Sequence, residues 1–170
     1  MAYSDYNTGN ITSSAGLEGY HFTECGRITY NESKNKFKID KDEVASLRHR
    51  RGTVYIWALN RFYEPNLEIM YVGSTSDDYV YRCNTWQETL NRKIALTSKM
   101  NTIQKTQMLV KDALQRGEIS IWGRVSPEVE VYGISHSLCK TEEDVLIKLL
   151  KPTWNGYKDD AIKALQQPEI

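Results

Sequence analysis

The chain has 170 residues, of which 40% are hydrophobic, so it suits a single domain with one core. Its 22 basic and 22 acidic residues cancel, and overall charge therefore does not indicate a nucleic-acid partner. The three cysteines have wide, unrelated spacings that fit neither a disulfide framework nor a zinc knuckle. Since there is also no apolar run of roughly 20 residues and no signal pattern, we expect a soluble, cytoplasmic protein without a membrane partner.

Residues 1–50 are predicted to form an N-terminal arm with a small hairpin and a short helix. The first 19 residues are rich in Ser, Thr, Asn and Gly and lack aliphatic periodicity, which indicates an arm without packed structure. Residues 27–39 favour a small hairpin with Phe37 and Ile39 on one face. A short helix would then end near Arg50.

Two stretches, Thr53–Asn60 and Leu67–Gly73, are dense in β-branched and aromatic residues and predict a pair of antiparallel strands. They carry a tyrosine at matching places, Tyr55 and Tyr71, and the polar, proline-containing segment between them is typical of a turn. Gly73 is expected to end the second strand, after which a polar loop can cap a helix.

The residues from Asp78 onward predict a helix of about 20 residues, with apolar side chains at helical spacing as far as Ile94. After an interruption, Thr102 can cap a second helix, which Gly117 ends. Residues 82–117 hold seven basic and two acidic side chains, a surplus of five positive charges. This helical segment is therefore the basic part of the chain.

The last third of the chain predicts further strands and helices. Alternating residues indicate strands at Ile119–Trp122 and Val129–Tyr132. Thr141 and Asp144 have the spacing of a capping box and predict that a helix begins there. Residues 159–170 are expected to form a tail or a last short helix.

Five residues have unusual placements along this order of elements: Tyr55, Tyr71, Arg82, Glu143 and Asn155. Each has an ordinary structural interpretation when it is taken alone. A strand tyrosine packs with its hydroxyl at the rim, and a glutamate in the first helical turn complements the helix dipole. A helix arginine is usually solvated, and the asparagine would belong to a turn. Only their combination points to chemistry.

Taken together and in order, these residues resemble the GIY-YIG nuclease superfamily. Val54-Tyr55 stands for the first motif and Tyr71-Val72-Gly73 for the second, with Arg82 nine residues past the motif glycine. Glu143-Asp-Val-Leu-Ile147 and Lys151-Pro-Thr-Trp-Asn155 resemble the closing pattern of the family.

The likeness covers residues 53–155 and is nearest to the phage endonuclease II type branch and to related type II restriction endonucleases. The reason is the basic segment ending at Gly117, which looks like the helical insertion of that branch. The resemblance implies an α/β (α+β) fold, in which a small antiparallel GIY-YIG sheet is flanked by helices. The nuclease domain would span residues 51–158, with the insertion at residues 97–117 and the N-terminal arm before it.

The resemblance also implies a Mg²⁺-dependent endonuclease that hydrolyses phosphodiester bonds in double-stranded DNA, inside a bacterial or phage-infected cell. Mn²⁺ would be able to replace Mg²⁺. One catalytic domain has one site for one strand, so a double-strand break requires a homo-oligomer, either a dimer or a tetramer. Two alternatives stay open: a sequence-specific type II restriction endonuclease and a non-catalytic DNA-binding module.

By the same resemblance, Glu143 would be the single protein ligand of one Mg²⁺, and Tyr55 would orient or deprotonate the attacking water. Arg82 would meet the phosphate charge through its planar fork. Tyr71 would support the water or the phosphate by hydrogen bonding, and Asn155 would hold the loop behind the site.

Two positions depart from the family pattern and leave one catalytic donor open. Ser74 stands where the family commonly has a lysine after the motif glycine, and Trp86 stands one turn past Arg82, where histidine or tyrosine is frequent. The phage branch is expected to use a lysine from its insertion, for which Lys99 and Lys105 are the candidates. The alternative for either lysine is a solvated helix position.

Several residues around these motifs are expected to contact DNA. The connection between the two tyrosine strands is longer than usual in the family, and Arg61 lies in it. A basic cluster, Arg48-His-Arg-Arg51, precedes the first strand and is either a solvated turn or a phosphate contact. The residues expected on the DNA side are Gly73, Ser74, Arg61, Arg48, Arg50, Arg51, Trp86 and Asn155.

Overall fold

The computed structural model describes residues 12–41, 47, 49–95 and 100–156. Its helices and strands are, in chain order, α1 (Ser14–Gly19), β1 (Thr23–Asn31), β2 (Lys36–Asp40), β3 (Thr53–Arg61), β4 (Leu67–Thr75), α2 (Tyr79–Asn91), α3 (Thr102–Arg116), β5 (Gly117–Val125), β6 (Glu128–Val131), β7 (Ile134–Ser137) and α4 (Cys139–Leu150). None of the helices in this part of the chain is long and apolar enough to cross a membrane.

The main sheet is antiparallel and has the strand order β2-β1-β5-β3-β4. β5 comes from the second half of the chain and pairs on both sides, with β1 and with β3. β3 therefore lies inside the sheet, and its residues 53–59 are all buried. A strand covered on both faces needs apolar residues at consecutive positions, which explains why residues 54–59 show no polar alternation.

Different helices cover the two faces of the sheet. On one face, α2 and α3 pack over Tyr55 and Trp57 and form what we call the first core. On the other face, α1 and α4 pack over Val54 and Ile56 and form the second core. The structure therefore confirms the predicted fold class, an antiparallel sheet flanked by helices.

The N-terminal arm is the first correction to the sequence-based expectations. The arm was expected to be unpacked, but α1 forms within it, and Leu17 is completely buried in the second core. Ser13 begins the helix by accepting a hydrogen bond from the backbone N of Gly16 at 3.0 Å. A single buried leucine creates no periodicity, so the sequence pattern could not reveal it. Residues 1–11 lie outside the described part of the chain.

The small hairpin after the arm agrees with its prediction. β1 and β2 pair antiparallel, and Phe37 and Ile39 are both buried. β1 begins earlier than expected, at Thr23, because it also pairs with β5. The short helix predicted to follow falls mostly on residues 42–46 and 48, outside the described residues.

β3 and β4 form the predicted antiparallel pair, but β4 continues to Thr75 instead of ending at Gly73. Ser74 and Thr75 pair with Val54 and Thr53 at the start of β3. The glycine does not end the strand because its backbone N–H and C=O can join the ladder like those of other residues. This extension places Ser74 in regular sheet rather than in a loop.

The helix that follows begins as predicted and ends earlier. Asp78 caps α2 and accepts a hydrogen bond from the backbone N of Val80 at 2.8 Å. The helix ends at Asn91, so Ile94 is not part of it. The apolar residues at helical spacing, which predicted a longer helix, continue into a segment that is not helical.

The other two helix starts also differ from the predicted ones. The cap of α3 is Asn101, which forms a capping box with Gln104, and Thr102 is the first helical residue. α4 begins at Cys139, so Thr141 lies inside the helix and does not cap it. The earlier start follows from β7, which ends at Ser137 and delivers the chain directly into the helix.

β6 and β7 form a separate two-stranded ribbon that is exposed along its length. The predicted strand at Val129–Tyr132 corresponds to β6, shifted by one residue. Tyr132 and Gly133 both have positive φ, 52° and 76°, as a two-residue hairpin turn requires. β7 was not predicted, because four residues are too few to show a clear alternation.

A buried ionic network fixes the start of α4 to the end of β5. Glu142 accepts hydrogen bonds from Arg124 and, at 2.6 Å, from the hydroxyl of Ser126. Arg124 also donates to the backbone oxygen of Tyr20 at 3.0 Å and lies 5.1 Å from the ring centroid of Phe22. The pair of Glu142 and Arg124 thus connects α4, β5 and the chain that follows α1.

Removing this carboxylate should destabilise the fold. In the Glu142→Ala variant the charge of Arg124 would stay largely buried without its carboxylate, and breaking such a pair typically costs about 3–5 kcal/mol. We expect a loss of that size in the free energy of unfolding measured by urea denaturation. The control is Glu130→Ala on the exposed ribbon, which should change stability by no more than about 0.5 kcal/mol. Equal stability of the two variants would contradict the role of the network.

Candidate active site

A one-residue bulge in β4 brings the two tyrosines to the same face of the sheet. Trp57 pairs with Tyr71, but the next residue of β3 pairs with Ile69, so Met70 has no partner in the ladder. Ile69 therefore packs in the second core, whereas Met70 and Tyr71 pack against the first core. With strict alternation from Ile69, Tyr71 would face away from Tyr55.

The hydroxyl of Tyr55 is held by two donors from α2. It accepts hydrogen bonds from Nε of Arg82 at 3.1 Å and from Nε1 of Trp86 at 3.0 Å. These two residues are one turn apart, and the guanidinium lies 5.1 Å from the Trp86 ring centroid. A phenol oxygen has two lone pairs and one proton, so the proton of Tyr55 has to point away from both donors. The phenol oxygen is thereby fixed in position.

Gly73 leaves the space that the tyrosine side chains occupy. A Cβ atom at this position would lie 2.6 Å from the hydroxyl oxygen of Tyr55 and 2.9 Å from Cε1 of Tyr71. The sequence resemblance suggested that the glycine lets its backbone approach DNA, and that contact stays a prediction. Inside the protein, the glycine is needed because a side chain would displace both tyrosines.

Tyr71 lies beside Tyr55, with 6.2 Å between the ring centroids, and is partly buried. Burial raises the pKa of Tyr71 well above its ordinary value, Tyr55 and Glu143 add to this effect, and Arg82 opposes it. The Tyr71 phenol therefore keeps its proton at neutral pH. It can donate a hydrogen bond but is unsuited to act as a base.

Glu143 projects from α4 towards β4. Its Oε2 accepts a hydrogen bond from the hydroxyl of Ser74, and its Oε1 lies 3.0 Å from Nζ of Lys140. Lys140 also lies 3.3 Å from Asp144, and the hydrogen bond with Glu143 raises the pKa of the lysine. The Glu143 side chain is 13% exposed. One carboxylate oxygen is thus held by the sheet, while the other faces a cation.

Glu143 has the chemistry that a Mg²⁺ ion requires. Mg²⁺ prefers oxygen ligands and is usually bound by one or two carboxylates together with waters and substrate phosphates. A single carboxylate with one oxygen directed at an exchangeable, exposed ammonium group fits this pattern. In the described part of the chain, no group of three or more His, Cys, Asp and Glu side chains is arranged to hold a metal.

Asn155 closes the free edge of β4. Its amide accepts a hydrogen bond from the backbone N of Val72 and donates one to the backbone O of the same residue, both at 2.8 Å. The backbone N of Trp154 donates to the backbone O of Met70 at 2.8 Å. The oxygen and the nitrogen of the Asn155 side-chain amide thus both contact the backbone of β4. The contact of Asn155 with DNA that the sequence suggested stays a prediction.

The basic residues expected to contact DNA lie at different ends of the sheet. Arg50 and Arg51 are exposed and directly precede the β3 end that carries Tyr55. Arg61 lies six residues further along β3, about 20 Å from Tyr55 in an extended strand, and its Nε is 2.7 Å from Glu68. Of the basic candidates that the structure describes before and along β3, Arg50 and Arg51 therefore lie at the same end of the strand as the tyrosine.

Of the remaining basic candidates, Lys105 is the one that the structure describes. Lys105 lies in the first turns of α3 and is partly buried. Lys99 and Arg48 fall outside the described residues. The choice of a catalytic lysine from the insertion stays a prediction.

Three polar contacts of the site were not predicted from the sequence. Trp86 was considered a departure from the family pattern, yet it lies four residues after Arg82 and hence on the same helical face. Lys140 lies three residues before Glu143, a spacing that favours an ion pair on a helix. Both spacings were visible in the sequence. The contact of Ser74 with the carboxylate depends on the packing of α4 against β4, which has no local signal.

Together, these elements form an antiparallel sheet flanked by helices, at one end of which Tyr55, Arg82 and Glu143 all lie near enough to Tyr71 to affect its pKa. The chain is similar over 85% of its length to a mutant of bacteriophage T4 EndoII, at a TM-score of 0.58 and 17% sequence identity, and the match covers 98% of that chain. The fold expected from the phage endonuclease II resemblance is thus confirmed.

A second solved structure also matches. It is the restriction endonuclease HPY188I in complex with product DNA, at a TM-score of 0.41 and 14% identity, with 94% of this chain and 90% of that chain covered. No protein-family model and no curated protein matches the sequence.

Adding one methyl group at Gly73 should disturb the tyrosine pair. In Gly73→Ala the new Cβ would overlap the Tyr55 hydroxyl, and overpacking of this kind typically costs about 1–3 kcal/mol. Urea denaturation followed by tryptophan fluorescence measures the loss. Gly19→Ala is the matched control, since no atom lies within 4 Å of its new Cβ, and it should be neutral or slightly stabilising. Unchanged stability of Gly73→Ala would contradict the packing described.

The raised pKa of Tyr71 should appear as a pH dependence of stability. The pKa in the folded chain lies above the ordinary value of 10.0, so above about pH 10 the unfolded chain releases a proton that the folded chain keeps. The contribution of Tyr71 to the free energy of unfolding is therefore fully present below pH 10 and is lost as the pH rises further. Tyr79, whose pKa is also raised by burial, contributes in the same range.

The variant that isolates this effect is Tyr71→Phe. In this variant the free energy of unfolding should fall less steeply above pH 10, by up to roughly 1.4 kcal/mol per pH unit, which is the contribution of one proton. Denaturation curves at pH 9, 10 and 11 for both proteins measure the slope. Identical slopes would show that Tyr71 titrates normally in the folded chain.

Proposed function

We propose that the chain is a Mg²⁺-dependent endonuclease that hydrolyses phosphodiester bonds in double-stranded DNA. The observation that carries the proposal is that Tyr55, Arg82 and Glu143, which come from β3, α2 and α4, all lie near enough to Tyr71 to affect its pKa, while Arg82 also donates to Tyr55. The fold shared with the phage EndoII mutant supports it. The sequence motifs that resemble the GIY-YIG nucleases fall on these same residues.

The reaction needs an activated water, stabilisation of charge on the phosphoryl oxygens and help for the departing oxygen. Bound Mg²⁺ would supply Lewis-acid stabilisation of the phosphate, and Mn²⁺ would serve as well. Glu143 would hold the ion through Oε1, the oxygen that now faces Lys140. A divalent cation at this position would displace the ammonium group of Lys140, which is mostly exposed.

Tyr55 would position the attacking water. Its oxygen is fixed by Arg82 and Trp86, so its hydroxyl proton and the water it contacts have a defined direction. Arg82 reaches Tyr55 through Nε, and its terminal nitrogens would meet the phosphate oxygens. Tyr71, which stays protonated, would donate a hydrogen bond to the phosphate or to the water.

DNA would approach the end of the sheet at which β3 begins. Arg50 and Arg51 are exposed there, and contacts to phosphates would position the duplex without reading its sequence. Lys105, or Lys99 from the same insertion, would supply a further cation. One chain has one such site, so cleavage of both strands would require a homo-oligomer.

Replacing the proposed metal ligand should abolish cleavage. We expect Glu143→Ala to lower the rate of plasmid nicking in Mg²⁺ roughly a thousandfold or more, since Lewis-acid stabilisation contributes several kcal/mol. Binding to the same DNA without metal, measured by gel shift, should be unchanged or slightly tighter because a negative charge is lost. Full nicking activity in this variant would refute the site.

The same plasmid digest serves for the control variant and for the analysis of the cleavage products. Glu130→Ala removes a carboxylate from the exposed ribbon and should cleave like the wild type. Sequencing the ends made by the wild-type protein separates the enzyme types, because a unique short site indicates restriction and a loose context indicates phage-type degradation. Salt-sensitive DNA binding without any cleavage in Mg²⁺ or Mn²⁺ would instead indicate a binding module.

A further inference from the structure

Ser74 has a contact that its expected role on the DNA side does not explain. Its hydroxyl donates a hydrogen bond to Oε2 of Glu143, 69 positions later in the chain. Ser74 lies in β4, where it pairs with Val54 of the buried strand β3, so its backbone is fixed by the sheet. The donor is therefore attached to a strand of the main sheet.

The two oxygens of Glu143 are consequently not equivalent. Oε2 is held by a neutral hydroxyl on the sheet, while Oε1 lies 3.0 Å from the ammonium of Lys140, whose side chain is 68% exposed. Lys140 belongs to the same helix as Glu143 and can swing into solvent at little cost. A cation that replaces Lys140 would find Oε1 already directed towards it.

We propose that Ser74 is the positioning residue that orients Glu143 as a metal ligand. This inference rests on the proposed function, because it assigns a task to the metal site suggested there. The hydrogen bond restricts the rotation of the carboxylate, so that less conformational entropy is lost when the ion binds. Hydrogen bonds to a ligating carboxylate commonly matter for metal affinity in this way.

The chemistry at position 74 also explains how a serine can stand where the related nucleases commonly have a lysine. A hydroxyl orients the carboxylate without adding charge, whereas a lysine would bring a second ammonium group to Glu143, next to Lys140 on α4.

The test uses a pair of variants that differ only in the hydroxyl group. Ser74→Thr keeps the hydroxyl, whereas Ser74→Val replaces it with a methyl group of nearly the same shape, and both residues favour strands. Mn²⁺ is titrated into the full-length protein without DNA, and the free ion is measured by its paramagnetic resonance signal. Ser76→Ala, on the exposed neighbour, is the control.

We expect Ser74→Val to weaken Mn²⁺ binding by about tenfold to a hundredfold, as is typical when a partner of a metal ligand is lost. Ser74→Thr and Ser76→Ala should remain within threefold of the wild type. In cleavage assays, the Mg²⁺ concentration for half-maximal rate should rise by the same factor in Ser74→Val, while the rate at saturating Mg²⁺ stays close to that of the wild type.

Two results would overturn the inference. Wild-type affinity in Ser74→Val means that the hydroxyl does not orient the ligand, and equal weakening in Thr and Val variants means that shape, not the hydrogen bond, matters. Both results leave the proposed function intact as long as Glu143→Ala abolishes Mn²⁺ binding. If Glu143→Ala binds Mn²⁺ like the wild type, the metal site itself is wrong and the role of Ser74 falls with it.

Discussion

The site depends on the extra residue in β4. Because Met70 is left without a partner in the ladder, Tyr71 and Gly73 share the face of Tyr55, while Ile69 remains in the second core. The backbone of this bulge is bonded to the segment after α4, where Trp154 donates to Met70. Residues 151–155, which resemble the closing pattern of the family, thus hold β4, the strand that bears Tyr71 and Gly73.

Two adjacent glutamates at the start of α4 have opposite environments. Glu142 is buried and neutralised by Arg124, whereas Glu143 is partly exposed and faces Lys140. A helical step of about 100° separates neighbouring side chains, so one can point into the protein while the next points along its surface. The buried pair fixes the helix start and thereby the position of Glu143, the proposed metal ligand. Stability and the proposed metal binding are therefore assigned to neighbouring residues.

Local patterns predicted the elements far better than they predicted the contacts between them. The hairpin with Tyr55 and Tyr71 and the capped start of α2 are encoded in nearby residues, and both are present. The insertion of β5 between β1 and β3 joins segments about 60–100 residues apart, and alternation within a strand cannot specify such a partner. Helix α1 was not predicted, because its single buried leucine, Leu17, creates no hydrophobic periodicity.

The candidate site was predicted to a similar extent. Resemblance suggested Tyr55, Arg82 and Glu143 as site residues, and the fold brings them to one end of the sheet. It could not show what Ser74 and Trp86 do, because both act across the space between elements: one donates to the carboxylate and the other to the phenol. Both departures from the family pattern therefore still carry hydrogen-bond donors to the residues proposed for catalysis.

Charge pairing distinguishes the two ends of the β3–β4 hairpin, even though the chain as a whole is neutral. At the turn between β3 and β4, the hydrogen bond with Glu68 raises the pKa of Arg61, and the ion pair offsets its charge within the protein. At the opposite end of the same hairpin, Arg50 and Arg51 are exposed to solvent. The exposed basic pair therefore lies near the start of β3 and not at the long turn, although the long turn was the stretch singled out in the sequence. The proposed path of the DNA backbone beside Arg82 and the two tyrosines agrees with this distribution.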